Sequence, residues 1–116
     1  MARLPNSDKS IVEAAKLRDY ILSPTHPYGR FKASFFSKIG YFAENWEELE
    51  KNLKAFVLFN DAAEVEETQY GQKFIVQGPF YGPAGYKVQI VTVWIILKGE
   101  NVPKFVTAYP GESDEI

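Results

Sequence analysis

Gly82-Pro83-Ala84-Gly85-Tyr86-Lys87-Val88-Gln89-Ile90-Val91-Thr92-Val93-Trp94-Ile95-Ile96-Leu97 is the stretch that decides the fold. A Pro/Gly turn cluster opens it, and a β-prone run of twelve residues follows. Towards its end both faces of the run are apolar, which predicts a strand lying centrally in a sheet. Upstream, Lys73–Phe80 reads as its hairpin partner, preceded by a turn at Tyr70-Gly71-Gln72. Ala63–Thr68 is a weaker, acidic strand suited to an edge, where charge discourages sheet-to-sheet pairing. Downstream, Gly99–Pro103 turns the chain, Phe105–Tyr109 closes the sheet and Pro110 ends it. Gly111–Ile116 reads as a frayed acidic tail.

The pattern before Ala63 is different. Ala14, Leu17 and Ile21 recur at helical spacing within Glu13–Leu22, with Arg18 and Asp19 turned outward, and Pro24 stops the run. Phe31, Phe35 and Ile39 repeat every four residues in a second helix, Tyr28–Lys38, with Gly40 at its C-terminal cap. A third helix opens near Asn45, carries Trp46, Leu49, Leu53 and Phe56 on its apolar stripe, and ends near Asn60. Glu47–Lys51 and Glu50–Lys54 are favourable i,i+4 pairs on it. Helices over about 12–60, then strands over about 62–110, predict an α+β fold: two to three N-terminal helices packed on a four-stranded antiparallel meander. The 116 residues fit a single domain, 1–116.

With 46% hydrophobic and 24% charged residues the chain has the make-up of a globular protein. It has no cysteine, which excludes disulfides, thiolate metal sites and cysteine nucleophiles. No segment resembles a signal peptide or is long and apolar enough to span a bilayer, so a cytoplasmic location without membrane contact is expected. The net charge of −2 is unevenly distributed. Residues 1–38 carry seven Lys/Arg against three Asp/Glu, residues 39–72 two against eight, and the rest balance at four each. A basic first third suits an anionic ligand, and the acidic middle argues against broad coating of nucleic acid.

The one histidine, His26, sits between Pro24 and Pro27, with Arg30 and Lys32 just beyond. An imidazole can take a proton from a ribose 2′-OH or give one to a leaving 5′-oxygen. The amides opening the next helix point back at this loop and suit phosphate. Arg30 and Lys32 could flank that mouth, although two residues apart they do not share a helix face. Against this, a histidine between prolines can simply end one helix and cap the next, and the two cations can be solvated. Thr107 and Tyr109 alternate with Phe105 on one face of the last strand and could orient a phosphate or relay a proton. Thr and Tyr are also common in strands for packing reasons alone. Trp94 could stack a base, though a central-strand tryptophan is more often core. Glu64 and Glu66 alternate onto one face without a histidine, which makes a solvated edge rather than a metal site. No metal or cofactor is called for.

Taken together, Lys16–Leu22, Ser23–Pro27, Gly29-Arg30, Lys32-Ala33, Tyr70–Phe74, Gly82–Gly85, Val93–Ile95 and Pro103–Tyr109 resemble a family of small uncharacterised bacterial proteins. Members occur stand-alone, often beside a short antitoxin-like protein, and as C-terminal domains of polymorphic toxins. That family is similar to the barnase, EndoU, colicin and RelE group of metal-independent ribonucleases. The resemblance implies an endoribonuclease of toxin type acting by 2′-OH attack to leave a 2′,3′-cyclic phosphate. It implies His26, Lys32, Thr107 and Tyr109 as catalytic residues and Arg30 and Lys16 on the substrate phosphate. RNA and a small antitoxin- or immunity-like protein are the implied partners. The competing reading is a non-catalytic module that binds a protein through its open sheet face or acidic middle. A pair of catalytic histidines, as in EndoU-type enzymes, is excluded by the single histidine, so His26 would have to work with Lys, Tyr or Thr.

Overall fold

The computed structural model describes residues 3–111. Of the tail expected to fray, Gly111–Ile116, it includes Gly111, whose amide donates to the Gln89 carbonyl at 2.7 Å, and the rest lies outside the described residues. Helix α1, Ala14–Lys16, runs on into a π-helical turn, Leu17–Ile21. Helices α2, Gly29–Lys38, and α3, Trp46–Phe59, follow. Strands β1, Ala62–Glu67, β2, Gly71–Tyr81, β3, Lys87–Leu97, and β4, Lys104–Pro110, form one antiparallel sheet in the order β1-β2-β3-β4. This is the α+β meander with N-terminal helices that the change of period predicts. The strong apolar run is indeed an inner strand.

The core lies between helices and sheet. Leu17, Ile21, Phe36, Leu49, Leu53 and Val57 meet Phe74, Val76, Ile90, Trp94, Phe105 and Ala108. Trp94 is completely buried, as a central-strand tryptophan should be, and is unavailable to stack a base. Its indole N–H donates to Thr92 Oγ1 at 2.8 Å, and that hydroxyl donates to the Val76 carbonyl at 2.8 Å. The buried polar atoms on β3 are thereby satisfied within the core.

Local details depart from simple periodicity. At the end of the π-helical turn the Leu22 amide donates to the Leu17 carbonyl five residues back, so the turn is wider than an α-turn. On α2 the buried face is Gly29, Ala33 and Phe36, with Ile39 beyond its end. Phe31, expected on the apolar stripe, is instead 67% exposed. Gly40 does end α2, at φ 104°, a left-handed conformation open to glycine. Asn45 then fixes the entry to α3 by donating to the Gly40 carbonyl and accepting from the Phe42 amide. Of the two expected ion pairs on α3, Glu50–Lys54 forms, at 3.5 Å.

Two bulges reset the strand faces. In β1 an irregularity at Val65 pairs Glu64 with Phe74 but Glu66 with Lys73, so the two glutamates do not share a face as alternation predicts. In β4, Phe105 pairs with Trp94 and Thr107 with Val93, leaving Val106 as an extra residue. Ala108, not Thr107 or Tyr109, therefore joins Phe105 in the core. Among the described residues no helix is long and apolar enough to cross a membrane.

Candidate functional site

The histidine loop is built by a close approach between two helices. A Cβ at Gly29 would lie 1.9 Å from the Tyr20 carbonyl oxygen, so only glycine lets the start of α2 rest against the π-turn. This approach brings His26 against Tyr20, ring centroids 4.9 Å apart and edge to face. Lys32, one turn into α2, donates from Nζ to the Tyr20 hydroxyl at 2.9 Å. Its ammonium also lies 5.1 Å from the centre of the Tyr20 ring.

His26 caps α2. The amides of Tyr28 and Gly29 donate to its Nδ1 at 3.1 and 3.0 Å, and the Arg30 amide donates to its carbonyl at 3.0 Å. With Nδ1 accepting, the neutral ring carries its proton on Nε2. The first amides of the helix are thus taken by the protein itself. The helix mouth expected to hold a phosphate is filled by the imidazole, and the outward group is the Nε2–H donor.

Tyr20 is the residue that sequence reading missed. Its phenol is held below the usual tyrosine pKa, chiefly by the hydrogen bond from Lys32. Partial burial opposes this, while the Thr107 hydroxyl and the charges of Lys32 and Lys16 add to the lowering. Thr107 reaches the phenol without a well-aligned hydrogen bond, and its buried Oγ1 has no partner among the described residues. Around one phenol, then, the fold assembles His26, Lys32, Thr107 and Lys16, which belong to α1, the loop, α2 and β4. The one sequence signal for Tyr20 is its place twelve residues before Lys32, which no helical or strand spacing connects.

The other two candidates lie elsewhere. Arg30 stacks its guanidinium 4.7 Å from the Phe31 ring. It lines a mostly apolar hollow of about 670 Å³ with Leu22, Pro24, Phe31, Tyr41 and Phe42. Tyr109 lines a separate hollow of about 540 Å³ on the sheet. Among the described residues no group of three or more acidic or histidine side chains is placed to hold a metal. The glutamates of β1 are engaged singly, Glu64 by Gln72 at 2.9 Å and Glu66 by Lys73 at 3.9 Å.

Compared with known proteins, residues 3–112 match the profile of a family described as a domain of unknown function, DUF6883. Comparison with curated proteins gives no match. Among solved structures, the chain is similar to a chain of the contact-dependent growth inhibition toxin–immunity protein complex from Klebsiella pneumoniae 342. The TM-score is 0.67 at 20% identity, covering 87% of this chain and 99% of that one. At that identity the likeness shows a shared fold.

Proposed function

The chain belongs to the DUF6883 family, and from that premise we propose that it is a toxin-type, metal-independent endoribonuclease centred on Tyr20. The observation that carries the reading is the 2.9 Å hydrogen bond between Lys32 Nζ and a phenol of raised acidity. In the ionised pair the phenolate takes the proton from a ribose 2′-OH. The 2′-oxygen bonds to phosphorus and the bond from phosphorus to the 5′-oxygen breaks, leaving a 2′,3′-cyclic phosphate. The 5′-oxygen takes a proton from the Lys32 ammonium, which the phenol restores across their hydrogen bond. Lys16 and Lys32 offset charge on the phosphoryl group, and His26 Nε2–H donates to one of its oxygens. The orphaned Thr107 hydroxyl supports a polar ligand here, because a buried hydroxyl without a partner costs about 1–3 kcal/mol. Arg30 and Tyr109 line hollows of their own and would meet the substrate beyond the scissile phosphate.

The likeness to a chain from a toxin–immunity complex supports the toxin-type reading and a small immunity-like protein as partner. The second reading, a non-catalytic protein-binding module, is favoured by the hollow beside α2. There Phe31 and Phe42 are 67% and 49% exposed.

Cleavage of single-stranded RNA and tRNA with EDTA present separates the two. Wild type is expected to leave 2′,3′-cyclic ends, and Tyr20→Phe to lose about 100-fold or more of the rate, the scale of general acid–base catalysis. Wild type inert on every RNA, with no growth defect on expression, would leave the binding module standing.

A further inference from the structure

The hollow on the sheet has a chemical character of its own. Gln77 pairs with Val91 in the β2–β3 ladder, and Val91 pairs with Tyr109 in the β3–β4 ladder. Gln77, Val91 and Tyr109 therefore form one row across three strands on the face away from Trp94. At roughly 4.8 Å per strand spacing, Gln77 and Tyr109 stand about 10 Å apart, with Val91 between them. Gln89, two residues before Val91, shares that face. Val91 is 8% exposed and makes an apolar floor. Gln77, Gln89 and Tyr109 are exposed, and among the described residues none of their side chains makes a hydrogen bond. The lining also includes Ile75, Pro110 and Gly111, and among the described residues it holds no charged side chain.

An uncharged hollow with two free amides and a phenol over an aliphatic floor selects against carboxylates and phosphates. It suits a flat, neutral group rich in donors and acceptors. Amide side chains pair in two-pronged fashion with nucleobase edges, and a tyrosine ring offers a stacking face. At about 540 Å³ the hollow is within the range of small-ligand sites. Its position ties it to the phenol cluster. Thr107 and Tyr109 are two residues apart on β4, paired to Val93 and Val91, so one strand repeat of about 7 Å separates them. Thr107, at the phenol cluster, and Tyr109, at the hollow, are thus alternate residues of one strand.

We propose that Gln77, Gln89 and Tyr109 form a nucleobase-recognition subsite that sets the base preference of this protein on single-stranded RNA. The proposal rests on the ribonuclease reading for the neighbouring phosphate position. Its test is binding of the four nucleoside 3′-monophosphates and inorganic phosphate by calorimetry, with wild type, Gln77→Ala, Gln89→Ala and Gln77→Glu. Far-UV circular dichroism checks that each variant is folded. At least one nucleotide should bind wild type tenfold or more tighter than inorganic phosphate, with a spread among the four bases. That spread should collapse in both alanine variants and change its order in Gln77→Glu, which loses a donor but keeps acceptors. Nucleotides that bind no better than phosphate, or a spread untouched by all three substitutions, overturn the subsite even if RNA is cleaved. A spread that depends on the glutamines in a protein that cleaves no RNA upholds the subsite and removes the catalytic reading alone.

Discussion

Tyr20 owes its acidity chiefly to one short contact, with Thr107 and Lys16 adding to it, so its titration reports the cluster directly. Lys32 is the main cause, which means that Lys32→Met should move the phenol back up towards the ordinary value of about 10. The ultraviolet tyrosinate spectrum of wild type minus Tyr20→Phe, followed against pH, checks this. The rate of RNA cleavage should rise with pH along the same curve. The linked effect on stability has a definite sign. Between the lowered folded pKa and the ordinary one the unfolded chain binds more protons, so Tyr20 adds stability as pH rises through that window and loses it as pH falls. Tyr41 opposes it, since burial raises that phenol and its contribution declines at alkaline pH. His26 is tied to the helix start in a different way. His26→Ala should cost about 0.5–2 kcal/mol in urea melts, the usual worth of a side-chain cap. His26→Asn, which keeps a capping acceptor, should recover much of that stability while remaining defective on RNA.

At the level of elements, the site depends on irregularities rather than on regular helix and strand. The π-turn and the bare Cα of Gly29 let two helices touch where an ordinary side chain would not fit. Gly29→Ala places a methyl group against the Tyr20 carbonyl and should lower stability by about 1–3 kcal/mol, the range for forced overpacking. It should also uncouple Lys32 from Tyr20. The Tyr20 titration then moves up without any change to Lys32 itself, a result that a loss of stability alone would not give. The bulge at Val106 does similar work in β4. It sends Ala108 into the core and frees Thr107 and Tyr109 from the packing role that strict alternation with Phe105 would give them.

For the whole molecule, electrostatics are local. A net charge of −2 gives little attraction for a polyanion at a distance, while Lys16 and Lys32 act together at one phenol. Binding to single-stranded RNA should accordingly show a shallow salt dependence. The log–log slope expected is about −1 to −2, at roughly 0.7 per phosphate neutralised. Lys16→Ala should reduce it by about 0.7. A steep slope left unchanged by that substitution would place the RNA on another surface.

The order of elements, the antiparallel meander, the inner position of β3 and the burial of Trp94 were all legible in the sequence. Those features follow from local periodicity, turn residues and the hydrophobic demand of a central strand, which neighbouring residues alone express. The histidine loop was also visible as a segment, together with two competing uses for it. Tertiary structure decided between the parts of that picture. It gave the imidazole Nδ1 to the amides of α2, set Arg30 and Tyr109 in hollows of their own, and gathered Lys32, His26 and Thr107 around Tyr20. Those outcomes depend on how four separate segments pack against one another. A π-turn, a single close approach at Gly29 and one extra residue at Val106 shift side chains by a fraction of a turn or by a whole sheet face, and no spacing within one segment encodes such a shift.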